Sequence, residues 1–425
     1  MAEGLSGNDL RFAAKRAATW GTAVQCATGD GFTAMPGTFR KSYDKKTNKE
    51  LGKGGPTTSA RGKSRVEGDR PTYLKYLGIE PDLFIGMFMG SCGVTMTSPS
   101  YSGTATSGTT TSLDKTGAGW TIDALIGKWV TITAGTNIGV TRKITDNDTD
   151  TITFAAMPSA CDATTVYAIS NSLAAKRYQF ADNLSGLFFT EAKREGSLNV
   201  EEIATVKLSG LTIKGSIDDN FIEMSLKKLG SDVANNTSSG TNNLTTFTDV
   251  LVTIPSSRIL AYEDLVIRMN DRDSGALDSG DVIYPSSFEI TMDRPMRLVY
   301  GHGGSFVIAA EPSSNGIPTL GLKMAFDISD ATTMAYMTEC DLGTYKKLDF
   351  TFTEPGATGQ KIVVSIPSAS YNDAGKDETD GLIPTNVDFE LLWPTAAPTG
   401  MTGVTGPVMI DVTNTNCGNP LQAGN

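Results

Sequence analysis

Over short spans along the whole chain, apolar residues alternate with polar ones, and a period of two gives a strand one buried and one wet side. The pattern recurs in WVTITA (Trp129 to Ala134), TVKLSGLTIKGSI (Thr205 to Ile217), FIEMSLKKL (Phe221 to Leu229), FEITM (Phe288 to Met292), KIVVSI (Lys361 to Ile366) and VDFELLW (Val387 to Trp393). A chain patterned this way folds mainly as β structure, punctuated by turn pairs such as Asp30-Gly31 and Ser279-Gly280. Two short helices are expected. One starts in IEPDLFIGMFMG with Pro81 at an early position, and one in DISDATTMAYMTEC is capped by Ser329 or Asp330 and ends near Glu339.

Texture divides the chain. Between Val94 and Asn171, 19 of 78 residues are threonine, and the flanking sequence would otherwise be continuous. The expected organisation is therefore residues 1–93 as the first part of a main domain, 94–171 as an inserted β module of three or four hairpin strands, and 172–425 as the remainder. The polar stretch SDVANNTSSGTNNLTTFTD (Ser231 to Asp249) reads as a surface loop or linker.

Charge is unevenly spread. The chain carries a formal −11, which argues against general nucleic-acid affinity, yet Gly37 to Lys75 holds 11 Lys/Arg against 4 Asp/Glu. A basic arm thus sits on an acidic body. Within it, LGKGGPTTSARGKSR (Leu51 to Arg65) carries four cations and no anion. Its glycines, Gly52, Gly54, Gly55 and Gly62, predict an extended arm that orders only against a partner.

Candidate chemistry is sparse. GKS at Gly62 to Ser64 matches the tail of a phosphate-binding loop, but Thr57 stands where the motif's first glycine belongs. NDRDSGALDSGD (Asn270 to Asp281) departs from a calcium loop, with Gly275 where an oxygen ligand is needed, and reads as a solvated hairpin tip, as does DNDTD (Asp146 to Asp150). The single histidine, His302, in GHGGS rules out a His-based metal cluster, and no serine stands on a G-x-S-x-G elbow. Phe39, Tyr43, Tyr73 and Tyr76 flank the basic arm; base stacking is one use for them, and packing the arm's base is the favoured one. Five widely spaced cysteines suggest free thiols in a reducing cytoplasm. The N-terminal residues lack the apolar core of a secretory signal, and the longest apolar run, LFIGMFMG, is far short of a membrane helix.

Taken in order, several segments resemble the tail tube proteins (major tail proteins) of long-tailed bacteriophages. They are AATWGT (Ala17 to Thr22), RGKSRVEGDRPTYLKYLGIEPDLFIGMFMG (Arg61 to Gly90), YQFADNLSGLFF (Tyr178 to Phe189), IPTLGLKMAFD (Ile317 to Asp327) and KIVVSIPSASYND (Lys361 to Asp373), before a last strand at VDFELLW. The inserted module departs from the family's minimal form and looks like a small domain that recurs in virion proteins.

The resemblance implies a tail-tube-type β-sandwich or barrel with one or two short helices, a long extended loop and the inserted module. It implies rings of six subunits stacked into a hollow conduit for the genome, with no catalytic site and no cofactor. Partners would be copies of the chain itself and other tail proteins (tape measure, terminator and distal tail), with double-stranded DNA passing transiently and no membrane insertion. The protein would be made in the host cytoplasm and reside in the virion. The arm then supplies a subunit interface through Lys53, Arg61, Lys63, Arg65 and Arg70, docking on a neighbour's acidic body. The alternative readings are a capsid decoration or surface-binding β-sandwich protein, and a hydrolase that uses His302.

Overall fold

The computed structural model describes residues 10–26, 29–47, 59–96, 99–170, 173–195, 199–235, 257–300, 308–327, 331–356, 359–376 and 385–422. His302 and most of the polar stretch after Asn235 lie outside them. The described residues are mainly antiparallel β, arranged in open sheets with a sandwich-like core.

Among the described residues the main sheet has 18 strands, the fifteen longer ones being β1 (Leu10–Arg16), β2 (Arg40–Thr47), β3 (Ser59–Tyr73), β4 (Gly90–Met96), β5 (Ala174–Phe180), β6 (Phe189–Glu195), β7 (Asn199–Ser216), β8 (Glu223–Gly230), β9 (Leu265–Asp271), β10 (Ser287–Asp293), β11 (Thr319–Phe326), β12 (Tyr345–Thr353), β13 (Lys361–Lys376), β14 (Thr385–Leu391) and β15 (Met409–Asn414). One run of antiparallel neighbours is β2, β3, β8, β7, β10, β11, β14, β13, β12, β9. A second is β13, β15, β5, β4, and a third is β7, β6, β1.

The long strands β7 and β13 belong to two runs each. The first half of β7 pairs with β6 and its second half with β8 and β10, and the register shift at Leu208/Gly210 marks the bulge where it changes partners. The alternation seen in the sequence fills the space between the layers: Leu211 and Ile213, Met224 and Leu226, Ile290 and Met292, Phe350 and Phe352, Val387 and Phe389 are all buried together. Each such side chain contributes about 1.5–3 kcal/mol by leaving water.

Both expected helices are present. A π-turn, Glu80–Phe84, with Pro81 in its first positions, runs into α1 (Ile85–Met89), and α2 spans Ala331–Leu342, three residues beyond the expected end. The candidate caps Ser329 and Asp330 lie outside the described residues. Two boundaries differ from expectation. VDFELLW is not the last strand, because VMIDVT continues as β15, flanked on both sides by β5 and β13. The threonine-rich segment forms a separate sheet of seven strands, from Tyr101–Thr104 to Val166–Ser170, rather than three or four. Its sheet starts after Val94, since β4 runs on to Met96 against β5. This sheet has its own core around Trp120, Val130, Ile144, Ile152 and Phe154.

The C-terminal segment ties the seven-stranded sheet to the body. The Asn419 N–H donates to Thr141 Oγ1 at 2.8 Å, and Gln422 Oε1 accepts from the Thr141 N–H at 2.9 Å. Asn419 Nδ2 also donates to the Cys92 carbonyl in β4 at 3.2 Å.

Candidate functional site

The basic segment is built into the main sheet. β2 and β3 form an antiparallel ladder from Arg40↔Glu67 to Thr47↔Ser59, and β3 continues against β8 from Val66↔Gly230 to Tyr73↔Glu223. For Ser59–Tyr73 this corrects the expectation of an arm that orders only on assembly, whereas Gly52, Gly54 and Gly55 lie outside the described residues. Backbone pairing with β2 over Ser59–Glu67 and with β8 over Val66–Tyr73 offsets the entropy a strand glycine costs, and Gly62 sits in the β2 ladder opposite Asp44 with no left-handed backbone. The GKS triplet therefore lies in a strand, where no loop is available to cradle phosphate.

The five candidate interface residues have different fates. Lys53 lies outside the described residues, and Arg61 stands in β3 in the Lys45–Arg61 pair. Lys63 is exposed, with its ammonium 4.6 Å from the centre of the Tyr300 ring. Arg65 reaches Asp44 and Glu67, both at 3.6 Å, within its own hairpin. Arg70 points inward: its guanidinium lies 2.9 Å from Glu191 Oε1 and 4.6 Å from the centre of the Phe12 ring. At 11% side-chain exposure it belongs to the core of this chain. Of the flanking rings, Phe39 and Tyr76 are buried in that core, Tyr43 is exposed, and Tyr73 packs on Phe221 at 5.6 Å. Lys75 is also interior, bound to Glu80 Oε1 at 2.9 Å.

What the hairpin offers outward is its free edge. β2 pairs only with β3 and is largely exposed, and Arg40, Lys45 and Lys46 on it form no ion pair among the described residues.

The outer face of the neighbouring strands carries the opposite balance. Glu223, Lys214, Glu289, Lys323, Asp388 and Asp373 stand side by side across β8, β7, β10, β11, β14 and β13, each in register with the next. They line a cleft of about 640 Å³. Opposite charges facing across strands support the sheet, as Lys214 and Glu223 do at 3.3 Å, but the row as a whole has four carboxylates to two ammoniums.

Sequence reasoning missed the interior cations. Lys228 on β8 is fully buried, its ammonium 2.5 Å from Glu191 Oε2 and 4.9 Å from the Phe84 ring centre, with Phe32, Phe39 and Phe189 around it. The signal was present in FIEMSLKKL: parity places Lys228 on the same face as Met224 and Leu226. Burial among these rings pushes the Lys228 ammonium down to about 8, against the pull of Glu191 and with help from Arg70.

The sign of the linked pH effect follows. Above about pH 8 the folded chain gives up this proton while the unfolded chain holds it to about 10.5, so between those values the unfolded state binds more protons. Stability from this group then rises with pH across the window. Urea midpoints taken at about pH 7.5 and about pH 9.5 should show a rise that Lys228→Met removes; an equal rise in the variant would assign it elsewhere.

Among the described residues, no group of three or more His, Cys, Asp or Glu side chains converges as a metal site, and none of their helices is long and apolar enough to cross a membrane. No protein-family model matches the chain, and no curated protein matches it.

Proposed function

We propose that this chain is a structural subunit that assembles with copies of itself into stacked rings, forming the tail tube of a long-tailed bacteriophage, through which the genome passes. The observation that carries the reading is the edge strand β2, which pairs only with β3 and bears three cations without an ion pair among the described residues, on a chain of net charge −11. An uncovered strand edge is a template for pairing with another chain. Cations along it repel a like edge and favour a partner surface of opposite charge, with a range of about 8 Å at physiological salt. The acid-rich sheet face supports the second half of the reading, since its four carboxylates outnumber its two ammoniums and repel DNA phosphates, and a conduit needs a wall that does not hold its cargo. The segments that resemble tail tube proteins run through β3, α1, β5, β11 and β13.

The test is assembly. Concentrated protein at low salt should give rings or tubes in electron micrographs and fast-sedimenting species in the ultracentrifuge, both lost as salt is raised. Lys45→Glu combined with Lys46→Glu reverses two exposed charges without touching the core, and should weaken association by more than about tenfold, or ~1.4 kcal/mol. A wild-type chain that stays monomeric at low salt and high concentration overturns the proposal. Deleting 53–65 is a poor substitute, because it removes the part of β3 that pairs with β2 and with it the buried Ser64.

A further inference from the structure

A lysine, an asparagine and an aspartate meet in the interior of the body, in an arrangement that the assembly reading does not use. Lys176 on β5 and Asn414 at the end of β15 are both fully buried on adjacent strands, and Asp82, 3% exposed, reaches them from the π-turn. Lys176 Nζ donates to Asn414 Oδ1 at 2.7 Å and to Asp82 Oδ1. The amide nitrogen of Asn414 donates to the same Asp82 oxygen at 3.2 Å and to the Tyr76 carbonyl at 3.1 Å. The backbone N–H of Asn416 points at Asn414 Oδ1 from 3.1 Å. Asn416 Nδ2 fixes the carboxylate by donating to Asp82 Oδ2 at 2.6 Å, and the Asn416 carbonyl accepts from Lys176 Nζ at 2.7 Å.

We propose that Lys176 and Asn414 join in an intramolecular isopeptide bond, with Asp82 as the proton carrier. Each component of an amide transfer is present: an amine beside the carbonyl it would attack, a carboxylate in contact with both the amine and the leaving nitrogen, and a backbone N–H on the oxygen where negative charge develops. Asp82 takes a proton from the Lys176 ammonium, and the freed lone pair attacks Cγ of Asn414. The Nζ–Cγ bond forms and the carbonyl electrons move onto Oδ1, facing the Asn416 N–H. Asp82 then passes its proton to Nδ2, the Oδ1 electrons return to restore the carbonyl as the Cγ–Nδ2 bond breaks, and the same carboxylate carries a second proton from Nζ to the departing ammonia. One amide bond forms and one breaks, ammonium leaves carrying the charge that the lysine held, and Asp82 ends as it began. No oxidant, reductant or cofactor enters the balance. Exclusion of water matters, because it leaves Lys176 Nζ as the nucleophile at this carbonyl.

The bond would link positions 238 residues apart and fasten β5 to β15 through side chains as well as through the backbone ladder. It does not depend on the assembly reading, and a monomer would form it equally well.

Intact-mass measurement of the full chain under denaturing conditions decides the matter. The expected mass is lower than the sequence mass by about 17 Da, one ammonia. A tryptic digest should contain a branched peptide joining the Lys176 and Asn414 segments, uncut after Lys176. Asp82→Asn, which keeps the side chain's shape, and Lys176→Met should each restore the full mass. If the variants fail to fold, the wild-type digest still decides. A wild-type chain at its full sequence mass, cut after Lys176 like any other lysine, overturns the proposal, as does a deficit that persists in Lys176→Met. Either result would leave Lys176 as an unlinked side chain held by its three acceptors.

Discussion

Glu191→Ala is expected to destabilise the fold by about 3–5 kcal/mol, while Lys228→Met at the other end of the same ion pair should change stability by less than about 1.5 kcal/mol. The asymmetry comes from the number of charges left behind. Glu191, 1% exposed, answers two buried cations: Lys228 at 2.5 Å and Arg70 at 2.9 Å. The Arg70 approach lies off its N–H direction, so charge rather than a hydrogen bond holds it. Removing the carboxylate leaves both cations in an apolar pocket, with ring faces as their remaining compensation. Removing Lys228 instead leaves one carboxylate with one guanidinium, and methionine fills the space among the four phenylalanines. Urea unfolding with unchanged slopes would measure both. Equal costs for the two variants would show that the pocket reads shape and not charge.

Gly68→Ala should cost roughly 2–4 kcal/mol, with the loss concentrated in the β2–β3 hairpin. Gly68 has φ of +143°, and a Cβ there would stand 2.6 Å from both the carbonyl carbon and the oxygen of Thr38. Those atoms are backbone, and they are pinned: the N–H groups of Thr38 and Phe39 both donate to the Asp69 carbonyl, at 2.9 and 3.2 Å. Only a residue without a side chain lets the approach to β2 cross so close over β3. Hydrogen exchange of the β2 amides would read the effect locally. Gly93→Ala in β4 is the control, since nothing lies within 4 Å of its added carbon and a neutral result is expected. Protected β2 amides in Gly68→Ala would mean that the crossing can open at little cost.

Local pattern was enough to find most strands. WVTITA coincides with the module strand Trp129–Ala134, and FEITM, KIVVSI and VDFEL fall inside β10, β13 and β14. It failed where the deciding partner is remote. The glycines of the basic segment suggested flexibility, and nothing near it in sequence reveals that β8, some 160 positions on, supplies the ladder that anchors the second half of β3, Val66 to Tyr73. Arg70 looked like one more surface cation for the same reason, its carboxylate lying far along the chain on β6. The Lys176, Asp82 and Asn414 cluster draws on segments up to 332 positions apart, and none of the three stands in a motif. Spacing rules describe neighbours along a strand or a helix; they carry no information about which strands meet.

The two-sided pairing of β7 also fixes how the molecule answers to force. Its 18 residues extend up to roughly 60 Å, and ladder bonds in an antiparallel pair lie across the strand direction. A pull along that axis loads every rung on both edges at once, by shear, whereas a pull across it opens them one after another like a zip. Along its own axis β7 is therefore stiff, and it yields to a pull across that axis.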